Sequence, residues 1–423
     1  MNRFVFFCCF GLVSVVTSVF GADDALTRRE GKYLDLITDL ESTDEVNAIV
    51  ATFDQAVEQW IAFWGDDSFD RSNFRVQACV MRNVSLFRQQ GLIPTEVPDF
   101  PFGYALNRRI WVKAQPSEYY TRHLVLHEGV HAYMYTAFDG AGPTWFQEGT
   151  ADLLALHQGV GSSVKTNKIP LNREQVPYWG RFKRMGQLKR AAEVPTLETV
   201  MGYQPDLIGD VGTYGWSWAF VELLQGYPDY RTLLLSLSGK ASMTGPEFNR
   251  EVQRSYSDQW PILSARWSLL CHDLDYGFDW SRETVQLSMS DPLWDGRPVQ
   301  TSVGADQGWQ SVGVRVPGGI KIRLRPEGRI TLAETTRPWI SEPAGVTLQY
   351  HRDRPLGQLL VCVLPNAMQD SGEYLQPLKI HALDQEKEFK IDQYSWLLFR
   401  VNDAVGSLSD NVGDYSVSLK VGS

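Results

Sequence analysis

The chain has 423 residues, 43% of them hydrophobic and 21% charged, which supplies ample core and excludes the disordered, collagen-like and low-complexity classes. Its 40 basic and 50 acidic residues leave a net charge of −10, and no run of Lys or Arg is long enough to track phosphates, so nucleic acid is excluded as a partner. The length is that of roughly two or three domains.

Met1-Asn2-Arg3 places one positive charge ahead of an apolar run from Phe4 to Phe20, and Val19-Phe20-Gly21 offers small residues where a signal peptidase cuts. Residues 1–21 are therefore expected to be a signal peptide and the protein to be secreted or periplasmic. A membrane anchor is the competing reading; ~17 residues is the lower limit for a span, and Ser14, Thr17 and Ser18 dilute the run. No other stretch is apolar enough to form a stable membrane span. Cleavage also removes Cys8 and Cys9, leaving Cys79, Cys271 and Cys362, too few and too scattered for a disulfide scaffold or a thiolate metal site. Residues 22–41 stand as a candidate prosegment.

Residues 42–64 carry Val46, Ile49, Val50, Phe53, Val57, Trp60, Ile61 and Trp64 at helical spacing, with Ser42 and Glu45 as a capping box. A strand follows at Phe74–Met81, a short helix at Val84–Gln90, a turn-rich passage with Pro94, Pro98 and Pro101, and a second strand at Arg109–Ala114. From Glu118 to Cys271 the periodicity is helical, interrupted at Pro143, Pro170 and Pro195. Near residue 285 it changes to short alternating runs such as Val312-Val314-Val316, Ile320-Ile322-Leu324 and Tyr415-Val417-Leu419, separated by Gly, Pro, Asp and Asn. The expected fold class is α+β: a mainly helical domain with a small sheet over residues 22–285, then an all-β sandwich over residues 286–423.

Leu124-Val125-Leu126-His127-Glu128-Gly129-Val130-His131 carries the chemistry. Histidines at i and i+4 share one helix face and can present nitrogens to one tetrahedral ion, with Glu128 beside them as a proton acceptor. A catalytic zinc takes a third protein ligand and keeps its fourth position open. The next helix offers one, since Asp139-Gly140-Ala141-Gly142-Pro143 makes a turn, Thr144 and Gln147 can cap, and Trp145-Phe146-Gln147-Glu148-Gly149-Thr150-Ala151-Asp152 follows. Glu148 and Asp152 lie four apart on one face, as ligand and as hydrogen-bond acceptor for a ligand histidine; the alternative is a pair of solvated helix carboxylates.

His-Glu-Gly-Val-His at 127–131 and Trp-Phe-Gln-Glu-Gly-Thr-Ala-Asp at 145–152 resemble the gluzincin metallopeptidases, especially the peptidase-MA-like family. The second block is similar to that family's aromatic-Glu-Gly-x-Ala signature, with Asp152 matching its acid one turn after the ligand Glu. A metzincin is disfavoured because Met134 and Ala137 stand where its Gly and third His belong. The 16 residues between His131 and Glu148 are fewer than in the aminopeptidase-like and thermolysin-like branches. The resemblance implies a zincin-type fold, a peptide or protein substrate, and hydrolysis by zinc-bound water with Glu128 as general base. It also implies an oxyanion donor, for which Tyr214 in Gly212-Thr213-Tyr214-Gly215-Trp216 is the best match, a core role for that Tyr being the alternative.

His123, four before His127, reads as a surface or core histidine, because three successive helical histidines do not all reach one tetrahedral ion. His157, His272, His351 and His381 lack ligand-spaced neighbours and are expected to satisfy local hydrogen bonds. Glu222 reads as a solvated helix residue.

Over residues 300–421 a second resemblance runs through Gly308-Trp309-Gln310-Ser311-Val312-Gly313, Pro355-Leu356-Gly357-Gln358-Leu359, Val401-Asn402-Asp403 and Asp410-Asn411-Val412-Gly413. These look like the galactose-binding-like sandwich of the bacterial calcium-dependent galactophilic lectin. Oxygens of Asp403, Ser407, Asp410 and Asn411 would suit calcium, and glycans become candidate partners; ordinary hairpin turns use the same residues. The expected function is a secreted zinc peptidase with an accessory sandwich. A noncatalytic zinc-containing protein that binds carbohydrate or a surface is the alternative, and a zinc hydrolase acting on a non-peptide bond is a third reading.

Overall fold

The computed structural model describes residues 26–207, 209–333, 337–366 and 372–423; the expected signal peptide lies outside them. The N-terminal half is helical around one mixed sheet, and the C-terminal half is built from strands.

The first sheet contains β1 (Thr27–Glu30), β2 (Leu34–Thr38), β3 (Val76–Met81), β4 (Gly103–Leu106) and β5 (Arg109–Lys113) in the order β1-β2-β3-β5-β4, with β2, β3 and β5 parallel and both edges antiparallel. Parallel strands need cover on both faces. Alternation supplies it: Ile110 and Val112 join the main core, whereas Trp111 turns to a second cluster with Cys79, Met81, Phe87 and Phe100. Helix α1 (Thr43–Trp64) buries the expected stripe on the main-core face, and Ser42 caps it by accepting the Glu45 N–H at 3.2 Å. Residues 27–38, within the expected prosegment 22–41, are part of this sheet. Tyr33, Leu34 and Leu36 are fully buried, and β2 pairs along its whole length with β3.

After α2 (Val84–Gln89), helices α3 (Glu118–Phe138) and α4 (Thr144–Ala155) are joined by a turn in which Asp139 and Gly142 adopt left-handed φ of 54° and 71°. The N-cap of α4 is Pro143, and no side chain caps it; Thr144 is instead buried as the first helical residue, so the Thr144 and Gln147 cap is not formed. Two short strands, β6 (His157–Gln158) and β7 (Lys165–Thr166), precede α5 (Arg181–Arg190), α6 (Leu197–Met201) and α7 (Val211–Gly226). Helix α7 packs tightly on α4 because position 149 is glycine: a Cβ there would collide with the backbone carbonyl of Ser217. Helices α8 (Pro228–Leu237), α9 (Gly245–Ser255), α10 (Trp260–Asp273) and α11 (Trp280–Glu283) complete this half.

The C-terminal half runs through β8 (Val299–Gly304), β9 (Gln310–Val316), β10 (Ile320–Gly328), β11 (Ile330–Thr331), β12 (Ile340–Ser341), β13 (Val346–His351), β14 (Arg354–Leu356), β15 (Leu359–Pro365), β16 (Ile380–Ala382), β17 (Lys387–Ile391), β18 (Ser395–Val401) and β19 (Asp414–Val421). Two four-stranded sheets, β17-β10-β19-β8 and β16-β15-β18-β9, enclose a core of Val303, Ile322, Leu324, Val361, Phe399 and Tyr415. This is a β-sandwich.

Helix α10 fastens the halves together. Leu263, Trp267 and Leu270 face the helical core, while Ile262, Ala265 and Leu269 lie against Leu360, Cys362, Trp396 and Leu398 of the second sheet. Full burial of large apolar side chains contributes ~1.5–3 kcal/mol each, so the sandwich is docked rather than tethered. Among the described residues no helix is long and apolar enough to cross a membrane.

Candidate functional site

Helix α3 starts at Ser117, whose side chain accepts from the Tyr120 N–H at 3.4 Å. One face then carries His123, His127 and His131, all buried. Glu148 and Asp152 project from α4 toward them. The Glu148 Oε2 lies 3.1 Å from His127 Nε2 and 3.6 Å from His131 Nε2. All three ligand atoms fall within 4.8 Å of one another. Ligands bonded tetrahedrally to zinc at about 2.0–2.1 Å stand roughly 3.4 Å apart, so these residues fit a metal ion.

Behind them, Asp152 accepts from His127 Nδ1 at 3.2 Å, which turns Nε2 toward Glu148. Asp152 also meets His123 Nε2 at 3.2 Å and the Arg181 guanidinium at 2.8 and 3.2 Å. Burial would raise its carboxyl, but Arg181 and the two histidines hold it well below the usual range. His123, His127 and Asp152 also lie close enough together for an ion. The guanidinium disfavours one there, and the trio acts as hydrogen-bonding support. Burial lowers His127, yet the Asp152 and Glu148 carboxylates outweigh it and raise the imidazole to about 10; against burial, His131 and His127 bring Glu148 down to about 2.

Glu128 makes no ion pair with the histidines, and burial pushes its carboxyl above the ordinary value, the direction that suits a general base. Strand β4 passes directly over it, since a Cβ on Gly103 would collide with the Glu128 carboxylate. Tyr214 stands in the first turn of α7, held by Asp210, which caps the helix through the Thr213 N–H at 2.8 Å. Its ring meets His127 edge-on at 5.8 Å and lies 4.9 Å beneath the Arg181 guanidinium. Burial, then Glu148 and Glu128, raise the phenol above its ordinary value and keep it protonated as a donor. The structure therefore brings His127, Glu128, His131, Glu148, Asp152 and Tyr214 into one cluster.

Two residues that sequence reading missed belong to it. Arg181 carried no motif, lying 29 positions from Asp152, and Gly103 lay in a passage read only as turns. Glu222 is corrected too: it is buried, bonded to Trp280 Nε1 at 2.8 Å and Gln225 Nε2 at 3.0 Å.

In the sandwich, Asp403 Oδ2 accepts from Asn411 Nδ2 at 3.0 Å, and Asn411 Oδ1 is buried without a partner. Ser407 and Asp410 are exposed. The loop between Asp403 and Asn411 turns into the helical half: Val405 joins the main core, and Gly406 packs on Gly277.

No family model matches the chain, and no curated protein matches it. Among solved structures it is similar to the N-terminal domain of EclA, a PllA-like lectin, at 16% identity over 29% of this chain and 95% of that one, with a TM-score of 0.23. It is also similar to PliG of Aeromonas hydrophila, a periplasmic inhibitor of g-type lysozyme, at 10% identity over 33% of this chain and 98% of that one, with a TM-score of 0.17. At these scores neither likeness carries an argument about fold or function.

Proposed function

We propose that the protein is an exported zinc-dependent peptidase of zincin type, with His127, His131 and Glu148 as the metal ligands. The observation that carries this reading is the convergence of the two Nε2 atoms and the Glu148 oxygen, with Asp152 behind His127. Zinc, when bound, lowers the pKa of a coordinated water toward ~7 and polarises a carbonyl. Glu128 accepts the proton of the attacking water and passes it to the leaving amine. The Tyr214 phenol donates to the developing oxyanion. Asp152, clamped by Arg181, fixes the His127 tautomer.

The edge strand β4 favours a peptide substrate over other hydrolysable bonds. Among the described residues it pairs with β5 alone, and it runs over Glu128, so its outer edge offers backbone groups to an extended chain beside the base. A sugar-binding role for the 403–411 loop is less favoured, because Val405 is buried in the helical half. The buried, unpartnered Asn411 Oδ1 beside Asp403 supports calcium at that loop as a second ion.

Wild type and Glu128→Gln, matched for zinc content, are compared on a broad pool of unfolded peptides. Cleavage by wild type, lost on chelation and reduced ~10²–10⁴-fold in the variant, supports the reading. A zinc-loaded wild type that cuts no peptide overturns it.

A further inference from the structure

The seam between the halves contains a cavity of about 260 Å³, room for roughly nine water-sized groups. Its acidic lining is already engaged. Asp273 accepts from Arg352 at 2.6 Å and Trp309 Nε1 at 2.7 Å, with His272 Nδ1 at 2.8 Å and Arg400 at 3.2 Å. Asp403 accepts from the Ala404 N–H and from Asn411. Arg400 spends both terminal nitrogens on Glu283, at 2.8 and 3.0 Å.

The groups left open are donors. Arg354 uses one N–H, on the Ile380 carbonyl at 3.1 Å. Arg352 uses only Nη1, and the His351 ring has no hydrogen-bond partner among the described residues. Burial, then Arg352 and Arg400, hold that imidazole down to about 4, so it is neutral in a positive local field. Arg352 and Asp353 form the turn between β13 and β14 at φ of 49° and 61°. A two-residue hairpin turn of this kind requires left-handed backbone at both positions, and from it Arg352 reaches Asp273 across the seam. Leu360, Leu378 and Ile380 give the cavity an apolar wall.

We propose that this seam cavity binds a small organic oxyanion, a carboxylate or a phosphate ester, gripped by Arg352 and Arg354 with its carbon skeleton on the apolar wall. Guanidinium groups match both head groups through paired N–H donors. The site draws on both halves and stands independently of the peptidase reading.

The test is the thermal midpoint of the full chain titrated with inorganic phosphate, butyrate or galactose, each at ionic strength matched with potassium chloride. Phosphate or butyrate is expected to raise the midpoint saturably, whichever acts identifying the head group. Arg354→Gln should need at least five-fold more of the same anion, each shift being measured from that protein's own anion-free midpoint, with zinc content unchanged. Arg354 is chosen because it carries no ion pair of the seam. The proposal is overturned if neither anion exceeds chloride, if the variant responds as wild type does, or if galactose alone stabilises.

Discussion

Two buried aspartates, one in each functional region, are surrounded by nearly the same chemistry and do different things. Asp152 meets His123, His127 and Arg181, and Asp273 meets His272, Arg352, Arg400 and Trp309. Around Asp152 the histidine it orients turns its second nitrogen toward Glu148 and His131, so three potential ligand atoms gather at one point. Around Asp273 the guanidinium groups of Arg352 and Arg400 reach across from the sandwich and end on the carboxylate. A buried carboxylate with cationic partners therefore does not by itself distinguish the two clusters; three potential ligand atoms directed at one point do.

The comparison can be broken by exchanging what the two aspartates do. Asp273→Asn should destabilise the protein by ~3–5 kcal/mol, the usual result of leaving buried charges unpaired, read from the denaturation midpoint, with zinc affinity unchanged. An equal effect on zinc affinity would join the two regions. Tyr214→Phe should reduce turnover ~10²–10³-fold with little change in zinc content; unchanged turnover would return this Tyr to a packing role.

Glu222 sharpens the contrast, because it is buried beside Trp280 and Gln225 with no cation. Burial raises its carboxyl from 4.5 to about 7. The unfolded chain then loses this proton near pH 4.5 while the folded chain keeps it to about pH 7, so stability falls as pH rises across that window and is flat above it. Glu222→Gln should remove the fall and stabilise the protein above pH 7 by on the order of 3 kcal/mol, with little effect below pH 4.5. Denaturant titrations at several pH values check it. Asp152→Asn leaves the buried Arg181 without its carboxylate and weakens the support of His127; zinc affinity should fall ~10–100-fold, the smallest change expected at the cluster, in a competitive chelator titration, and an unchanged affinity would reduce Asp152 to a packing role.

Much of the molecule was legible because local pattern and tertiary role agree. The stripe of α1, the register of β5 and the change to alternation after α11 follow from periodicity, which burial only has to use. His127, His131, Glu148 and Asp152 were legible because spacings of four on a helix fix a shared face before any packing occurs. Segments whose role depends on distant partners were not. That Leu34–Thr38 form an inner strand of the sheet depends on β3, which lies beyond α1, and the N-cap of α4 falls on Pro143 rather than Thr144.

What the sequence alone determined is which side chains can gather to hold one ion and the division into a helical and a stranded half, since both depend on helical and extended repeat geometry. Only the tertiary structure decided that Arg181 clamps Asp152, that β4 covers Glu128, that Glu222 is buried, and that the 403–411 loop packs into the seam. Each of these joins positions far apart in the chain, and such contacts are selected by the closing of the whole core rather than by any local preference.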